Sequence, residues 1–215
     1  MFGKWHLGMN WVDGKPGTDK QLPVGAKLTD GPSAVGFDYF YGFTHARNIG
    51  SIIEQNAVVA NVQGVENQPL MIRKALAYIE ERAREDKPFF LYFPMTSPHT
   101  PISPSDAFQG QSGVSAYADF VLETDWSVGQ VLRAIDQYGL RENTLVIFVA
   151  DNGTSPVAKF ATLAAGGVDL RGPWRGHKAD VWEGGHRVPF LVRWPGVVEP
   201  GSHCDQPVGL TDVME

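Results

Sequence analysis

At 215 residues, with 43% hydrophobic and 11% aromatic content, the chain has the makeup of an ordinary globular protein, which excludes a disordered or collagen-like polymer. A net charge of −6 without a basic cluster excludes nucleic acid as the expected partner, and no apolar run approaches the ~20 residues of a membrane span. Cys204 is the sole cysteine, so no disulfide forms within the chain.

One domain is the expected count. The chain opens at once on Gly3-Lys4-Trp5-His6-Leu7-Gly8, with no charged or apolar leader, and it stops at Glu215 without a tail, so both ends read as cuts within a domain. Residues 9–48 are loop-rich, with an aromatic block at Gly36-Phe37-Asp38-Tyr39-Phe40-Tyr41-Gly42-Phe43. Structureless loops of this length are usually functional. Ile52-Ile53-Glu54 and Ala57-Val58-Val59 predict a small hairpin turning at Gln55-Asn56.

Leu70 to Arg84 reads as a helix with Met71, Ala75, Leu76 and Ile79 on one face. Phe89–Phe93, set between Pro88 and Pro94, predicts a buried parallel strand. Ser115 to Tyr138 is a longer helix with Ala116, Phe120, Val121, Val128, Val131, Leu132 and Ile135 as its apolar stripe, stopped by Gly139. Thr144–Ala150 is the clearest strand, and Val188–Trp194 is the last. Helices alternating with strands in this way predict an α/β domain built on a mainly parallel sheet flanked by helices.

Four stretches carry residues suited to chemistry. Asp151-Asn152-Gly153 follows the strongest strand, and ligands of open α/β sheets bind beyond the carboxyl ends of strands. A carboxylate beside an amide carbonyl suits Ca²⁺ or Mg²⁺, and a plain Asp-Asn-Gly turn is the competing reading. Asn152-Gly153-Thr154 also matches the glycosylation sequon, a short signal that is incompatible with a ligand role for Asn152. Lys4 and His6 stand two apart, so extended backbone points both to one side, as an anionic substrate requires. A surface lysine and a core histidine would look the same. His99 sits between prolines in Ser97-Pro98-His99-Thr100-Pro101, a rigid setting that suits either a proton donor or a structural turn. Finally, Leu170-Arg171-Gly172, Arg175-Gly176-His177-Lys178 and Trp182 to Pro189 mix cations with glycines, fitting an oxyanion grip or a solvated basic loop.

Taken in order, these blocks resemble those of the sulfatase family: Gly-Lys-Trp-His-Leu-Gly at 3–8, the aromatic block at 36–43, Ser-Pro-His-Thr-Pro at 97–101, Asp-Asn-Gly at 151–153, and the Arg-Gly-x-Lys to Arg-Val-Pro run at 175–189. Leu210-Thr211-Asp212 resembles a later family stretch. The resemblance spans essentially the whole chain. It implies an alkaline-phosphatase-like α/β fold, here incomplete, with residues 1–215 forming part of a catalytic domain. It also implies hydrolysis of a small-molecule or glycan sulfate ester, using a formylglycine made from Cys or Ser together with one Ca²⁺ or Mg²⁺. Carried over residue by residue, Asp151 and Asn152 would be metal ligands, and Lys4 and Lys178 would bind sulfate oxygens. His99 would protonate the leaving-group oxygen, and His6 would help break down the covalent sulfate intermediate. Glu183 to Pro189 would be scaffolding.

One departure bears on activity. The family's Cys/Ser-x-Pro-x-Arg signature does not occur in the 215 residues, and Cys204 has no Pro-x-Arg after it. The two aspartates that complete the family's metal site ahead of the Gly-Lys-Trp-His block do not occur either. The expectation is a fragment of a sulfatase that is inactive alone, since losing a covalent nucleophile can cost about a million-fold. A phosphonate or phosphodiester hydrolase of the same superfamily, and a non-catalytic remnant, are the competing functions.

Overall fold

The computed structural model describes residues 1–14, 21–170 and 172–214. Arg171, one of the cations singled out above, and part of the 9–48 loop lie outside the described residues.

The first sheet has the order β1 (Phe2–Lys4), β2 (Tyr41–Phe43), β3 (Ser51–Glu54), β4 (Ala57–Asn61). β1 runs parallel to β2, with Phe2 opposite Tyr41 and Lys4 opposite Phe43. The β2–β3 and β3–β4 pairs are antiparallel, the second closing at Gln55-Asn56 as the hairpin reading expects. Side chains alternate between the two faces, as the pleat requires. Phe2, Tyr41, Phe43 and Ile52 join Met71 and Ala75 of helix α1 (Gly64–Arg82) in one core. Met1, Phe40, Ile53 and Val58 join Leu22 and Leu28 in a second. The long loop is therefore the cover of the sheet's second face. Its residues 25–27 are fastened there by a bridge from Lys27 to Ala57 and by backbone bonds between Val58 and residues 25 and 26, and a bridge from Trp11 to Leu28 ties the loop to itself.

A mainly parallel sheet was expected, and the described pairings are mixed. Only β1–β2 is parallel, because β2, β3 and β4 are joined by short turns that can connect only antiparallel neighbours. β5 (Val146–Val149) and β6 (Phe190–Arg193) form a separate antiparallel pair, each shorter than its apolar run.

Phe89–Phe93 forms no regular strand. It is an extended segment lying parallel to β1, accepting bonds from Phe2 N at Tyr92 O (3.0 Å) and from Lys4 N at Pro94 O (2.9 Å). Pro94 has no N–H to return. Nor is the segment buried, since Phe90 and Tyr92 are exposed.

Helix α1 begins six residues before the expected Leu70, despite Pro69 inside it. Reciprocal capping between Gln63 and Glu66 and a buried bond from Asn67 Nδ2 to Ile49 O (2.6 Å) anchor the residues ahead of the proline. Helix α2 (Ala116–Gln137) starts at its Ser115 cap as expected, but its buried seam is partly polar. Phe120, Ala134 and Ile135 are buried with Glu123 and Ser127, whereas Val121 of the expected stripe is exposed. The polar members are satisfied internally. Gln68 Nε2 donates to Ser127 Oγ (3.1 Å) and Ser105 N to Glu123 Oε2 (2.9 Å). Two short helices, α3 (Phe160–Ala165) and α4 (Glu183–His186), were not anticipated.

β1 and β2 approach so closely that a Cβ on Gly42 would lie 1.9 Å from Gly3 O, and a Cβ on Gly3 would lie 2.2 Å from Pro94 O. Gly42→Ala is expected to destabilise the fold by about 3 kcal/mol, the upper end of ordinary overpacking costs. In Gly129→Ala, on α2, the new Cβ meets nothing nearer than 3.6 Å. That change is expected to stabilise by up to about 1 kcal/mol. Urea denaturation of the two variants checks the contrast.

Candidate active site

Three extended segments run the same way, namely β1, β2 and the 92–94 stretch beside β1. Their carboxyl ends therefore emerge on one side. The first delivers Lys4 and His6, the second Thr44 and His45, and the third, five residues on, His99. Trp5 N bonds to Phe43 O (3.1 Å) and His6 N to Thr44 O (2.7 Å), which extends the pairing past the strand ends. These bonds hold His6 at φ 64°, a left-handed conformation uncommon for a residue with a side chain. Its ring lies 6.1 Å from that of His45, centroid to centroid.

The electrostatics of His6 record the company it keeps. Desolvation lowers its pKa below 6.5, and Lys4, His45 and His99 lower it further by charge repulsion, while Asp151 pulls the other way. Groups from four distant stretches thus act on one imidazole. The neutral form of His6 is favoured, which suits a group that accepts a proton.

His99 is held differently. Its Nδ1 lies 2.6 Å from Thr100 O, an atom that can only accept, so Nδ1 carries a hydrogen and Nε2 is the nitrogen left for chemistry. Both X-Pro bonds of its Ser97-Pro98-His99-Thr100-Pro101 segment are cis.

Asp151 lies just past β5, where the strand pattern placed it. Asn152 Nδ2 bonds to Gly153 O (3.0 Å), which leaves Oδ1 to accept or ligate. Gly153 is pressed against the Trp182–Arg187 turn. Its N donates to Gly185 O (2.8 Å), and a Cβ here would lie 1.8 Å from Gly184 O. Lys178 joins through backbone, its N donating to Thr154 O (3.0 Å). Among the described residues neither Lys4, Lys178 nor Asp151 forms an ion pair. The neighbouring cations are committed elsewhere. Arg175 stacks on Trp182 at 3.9 Å, while Arg187 stacks on Trp174 at 4.1 Å and pairs with Glu183 at 3.2 Å.

Asp151 and Asn152 fit a hard divalent cation in donor chemistry but supply only part of a shell, since Ca²⁺ takes about 6–8 oxygens. Among the described residues no group of three or more His, Cys, Asp or Glu forms a complete metal site. Sequence reasoning missed His45, Thr44 and Asn48, which line a cleft with His6. The available signal was their place just after the aromatic block, which becomes β2, but nothing local shows that β2 runs parallel to β1.

The Sulfatase family model matches residues 1–215, the whole chain. The chain belongs to the sulfatase family. It is 37% identical to human arylsulfatase H over 174 residues, which cover 80% of this chain and 30% of that protein. It is 43% identical to rat steryl-sulfatase over 133 residues, covering 62% of this chain and 23% of that protein. The chain thus spans about a third or less of the curated sulfatases it matches. A solved sulfatase structure, titled for glycosaminoglycan metabolism by Bacteroides thetaiotaomicron, superposes with a TM-score of 0.80 at 26% identity, covering 93% of this chain and 52% of that one. The α/β class and the alkaline-phosphatase-like fold of the sulfatases stand on that likeness. Among the described residues no helix is long and apolar enough to cross a membrane.

His6 is expected to titrate below 6.5 in the free chain, and Lys4→Gln to raise its pKa by removing one repulsive charge. As pH falls below 6.5 the unfolded chain binds this proton first, so His6 makes the fold less stable in mild acid. Histidine ring signals followed by NMR across the pH range check both.

Proposed function

We propose that the protein hydrolyses sulfate esters and that these 215 residues form part of its catalytic domain. The observation that carries the reading is that three separate extended segments bring Lys4, His99 and Asp151 close enough to act on the His6 ring. Lys4 and Lys178, which form no ion pair among the described residues, bind the sulfate oxygens and stabilise charge that grows there in the transition state. His99, anchored through Nδ1, presents Nε2 to the leaving-group oxygen as the group that transfers the proton. His6, whose pKa is lowered by desolvation and by Lys4, His45 and His99, takes up a proton at the nucleophile's side of the site.

Asp151 and Asn152 contribute to a Ca²⁺ or Mg²⁺ site, and the bound ion would polarise a sulfate oxygen as a Lewis acid. The nucleophile is a formylglycine from a Cys/Ser-x-Pro-x-Arg segment that these residues do not include. The substrate is a small-molecule or glycan sulfate ester.

Three rates test this. The 215-residue chain alone is expected to show no turnover of 4-nitrophenyl sulfate. In the polypeptide that also carries the nucleophile segment, Lys178→Ala is expected to lower kcat about 10²–10³-fold. His99→Ala is expected to cost about 10²–10⁴-fold, with the larger loss on alkyl sulfates, whose leaving groups need the proton more. Turnover by the 215 residues that Lys178→Ala abolishes contradicts the need for a nucleophile segment outside them, and a His99→Ala loss that ignores the leaving group contradicts the role of His99.

A further inference from the structure

His99 makes hydrogen bonds only within its own loop, among the described residues. Its N donates to Thr96 O (2.8 Å), and its Nδ1 lies 2.6 Å from Thr100 O and 3.3 Å from Thr100 Oγ1. Where the ring stands relative to Lys4 and His6 therefore depends on what holds the loop. Ahead of it, Lys4 N ties Pro94 O to β1 (2.9 Å). Helix α2 supplies the other anchors, from two consecutive residues. Thr124 Oγ1 lies 2.7 Å from Ser97 Oγ, just before His99, and Glu123 Oε2 accepts from Ser105 N (2.9 Å), just beyond the loop's second proline. Neighbouring helix positions point about 100° apart, so one turn of α2 reaches both ends of the loop 97–105. Behind Glu123, Ser127 Oγ donates to Glu123 O (2.7 Å) and accepts from Gln68 Nε2 (3.1 Å), which also faces Met95 Sδ (3.1 Å).

Glu123 is 1% exposed. Burying a carboxylate to hold one backbone N–H carries a desolvation cost, and an apolar side chain continuing the seam of Phe120, Ala134 and Ile135 would avoid it. Directional bonds do what apolar packing does not: they fix a segment in one place, as a group that transfers a proton requires. We propose that Thr124 and Glu123 are positioning residues for His99, which by pinning Ser97 and Ser105 to α2 hold the loop that presents the ring to the leaving group. The proposal rests on the sulfate-ester reading, in which His99 serves the leaving-group oxygen. A displacement of about 1 Å caused from outside the reacting centre can cost about 10²-fold, so anchors that touch no substrate still govern the rate.

The experiment compares hexyl sulfate with 4-nitrophenyl sulfate in the polypeptide that also carries the nucleophile segment. Thr124→Val keeps the branched shape and removes the hydroxyl. It is expected to lower kcat on hexyl sulfate about 10–10²-fold and less on 4-nitrophenyl sulfate, with KM within about twofold. Thr124→Ser, which keeps the hydroxyl, is expected to restore the rate. Glu123→Leu, which frees Ser105 N, is expected to follow the same pattern, with rescue by Glu123→Gln, whose amide oxygen still accepts. In a His99→Ala background Thr124→Val is expected to cost nothing further, because it acts through that ring. Should Thr124→Val unfold, Ser97→Ala removes the same bond from the loop's side and is expected to behave alike. Equal losses on the two esters, or a loss that persists in full after His99→Ala, overturns the proposal, since a merely structural role lowers both rates together. NMR of the 215-residue chain separates the proposal from the reading beneath it: Thr124→Val is expected to move the His99 ring signals more than those of His45. Moved His99 signals with a His99→Ala loss that ignores the leaving group support the anchor and count against the acid role. Unmoved signals overturn the anchor even where the acid role stands.

Discussion

The candidate site depends on backbones touching where no side chain intervenes. Gly42 meets the carbonyl of Gly3, Gly3 meets that of Pro94, and Gly153 meets that of Gly184, all at distances that exclude even a methyl group. Each contact joins segments far apart in sequence, and each lies within a few residues of a group in the proposed chemistry. The first two set the spacing of the segments that deliver Lys4, His6, His45 and His99. The third seats the loop bearing Lys178 against the turn bearing Asp151 and Asn152. Positioning by main-chain contact tolerates less than positioning by side-chain packing, because a backbone carbonyl cannot move aside without distorting its own segment.

Upon that frame the charges divide into two populations. Arg175 and Arg187 are absorbed by tryptophan faces and a glutamate, so they serve the shape of their loop. Among the described residues Lys4, Lys178 and Asp151 form no ion pair. The crowding is visible in the lowered pKa of His6, where desolvation is the largest cause, Lys4, His45 and His99 add to it, and Asp151 opposes it. An arrangement that works against the fold in this way is the expected signature of a site preorganised for an anion, whose arrival turns the repulsion into binding.

How much of this could be read in advance varied with the distance over which each feature is decided. The hairpin at Gln55-Asn56 and the start of the helix expected from Ser115 are local, and both formed within a residue of where the sequence put them. Helix α1 ran past its expected start because Asn67 is held by Ile49 O, a partner 18 positions away. The stripe assigned to α2 misplaced Val121 because the seam that packs inward includes Glu123 and Ser127, which can be buried only where Ser105 and Gln68 satisfy them. The apolar run Phe89–Phe93 lies extended but half exposed, since an apolar composition says nothing of what will cover it.

The sequence by itself determined the family, through blocks whose residue types and order carry the resemblance, and it named Lys4, His6, His99, Asp151, Asn152 and Lys178 before any geometry was known. Side-chain chemistry is written residue by residue, which is why candidates can be named without coordinates. Only the tertiary structure decided that β1 and β2 run parallel, that His45 therefore stands beside His6, and that Asn48 and Trp11 wall one cleft. Direction and adjacency of strands are set by connections and packing summed over the whole chain, so no short stretch of residues encodes them.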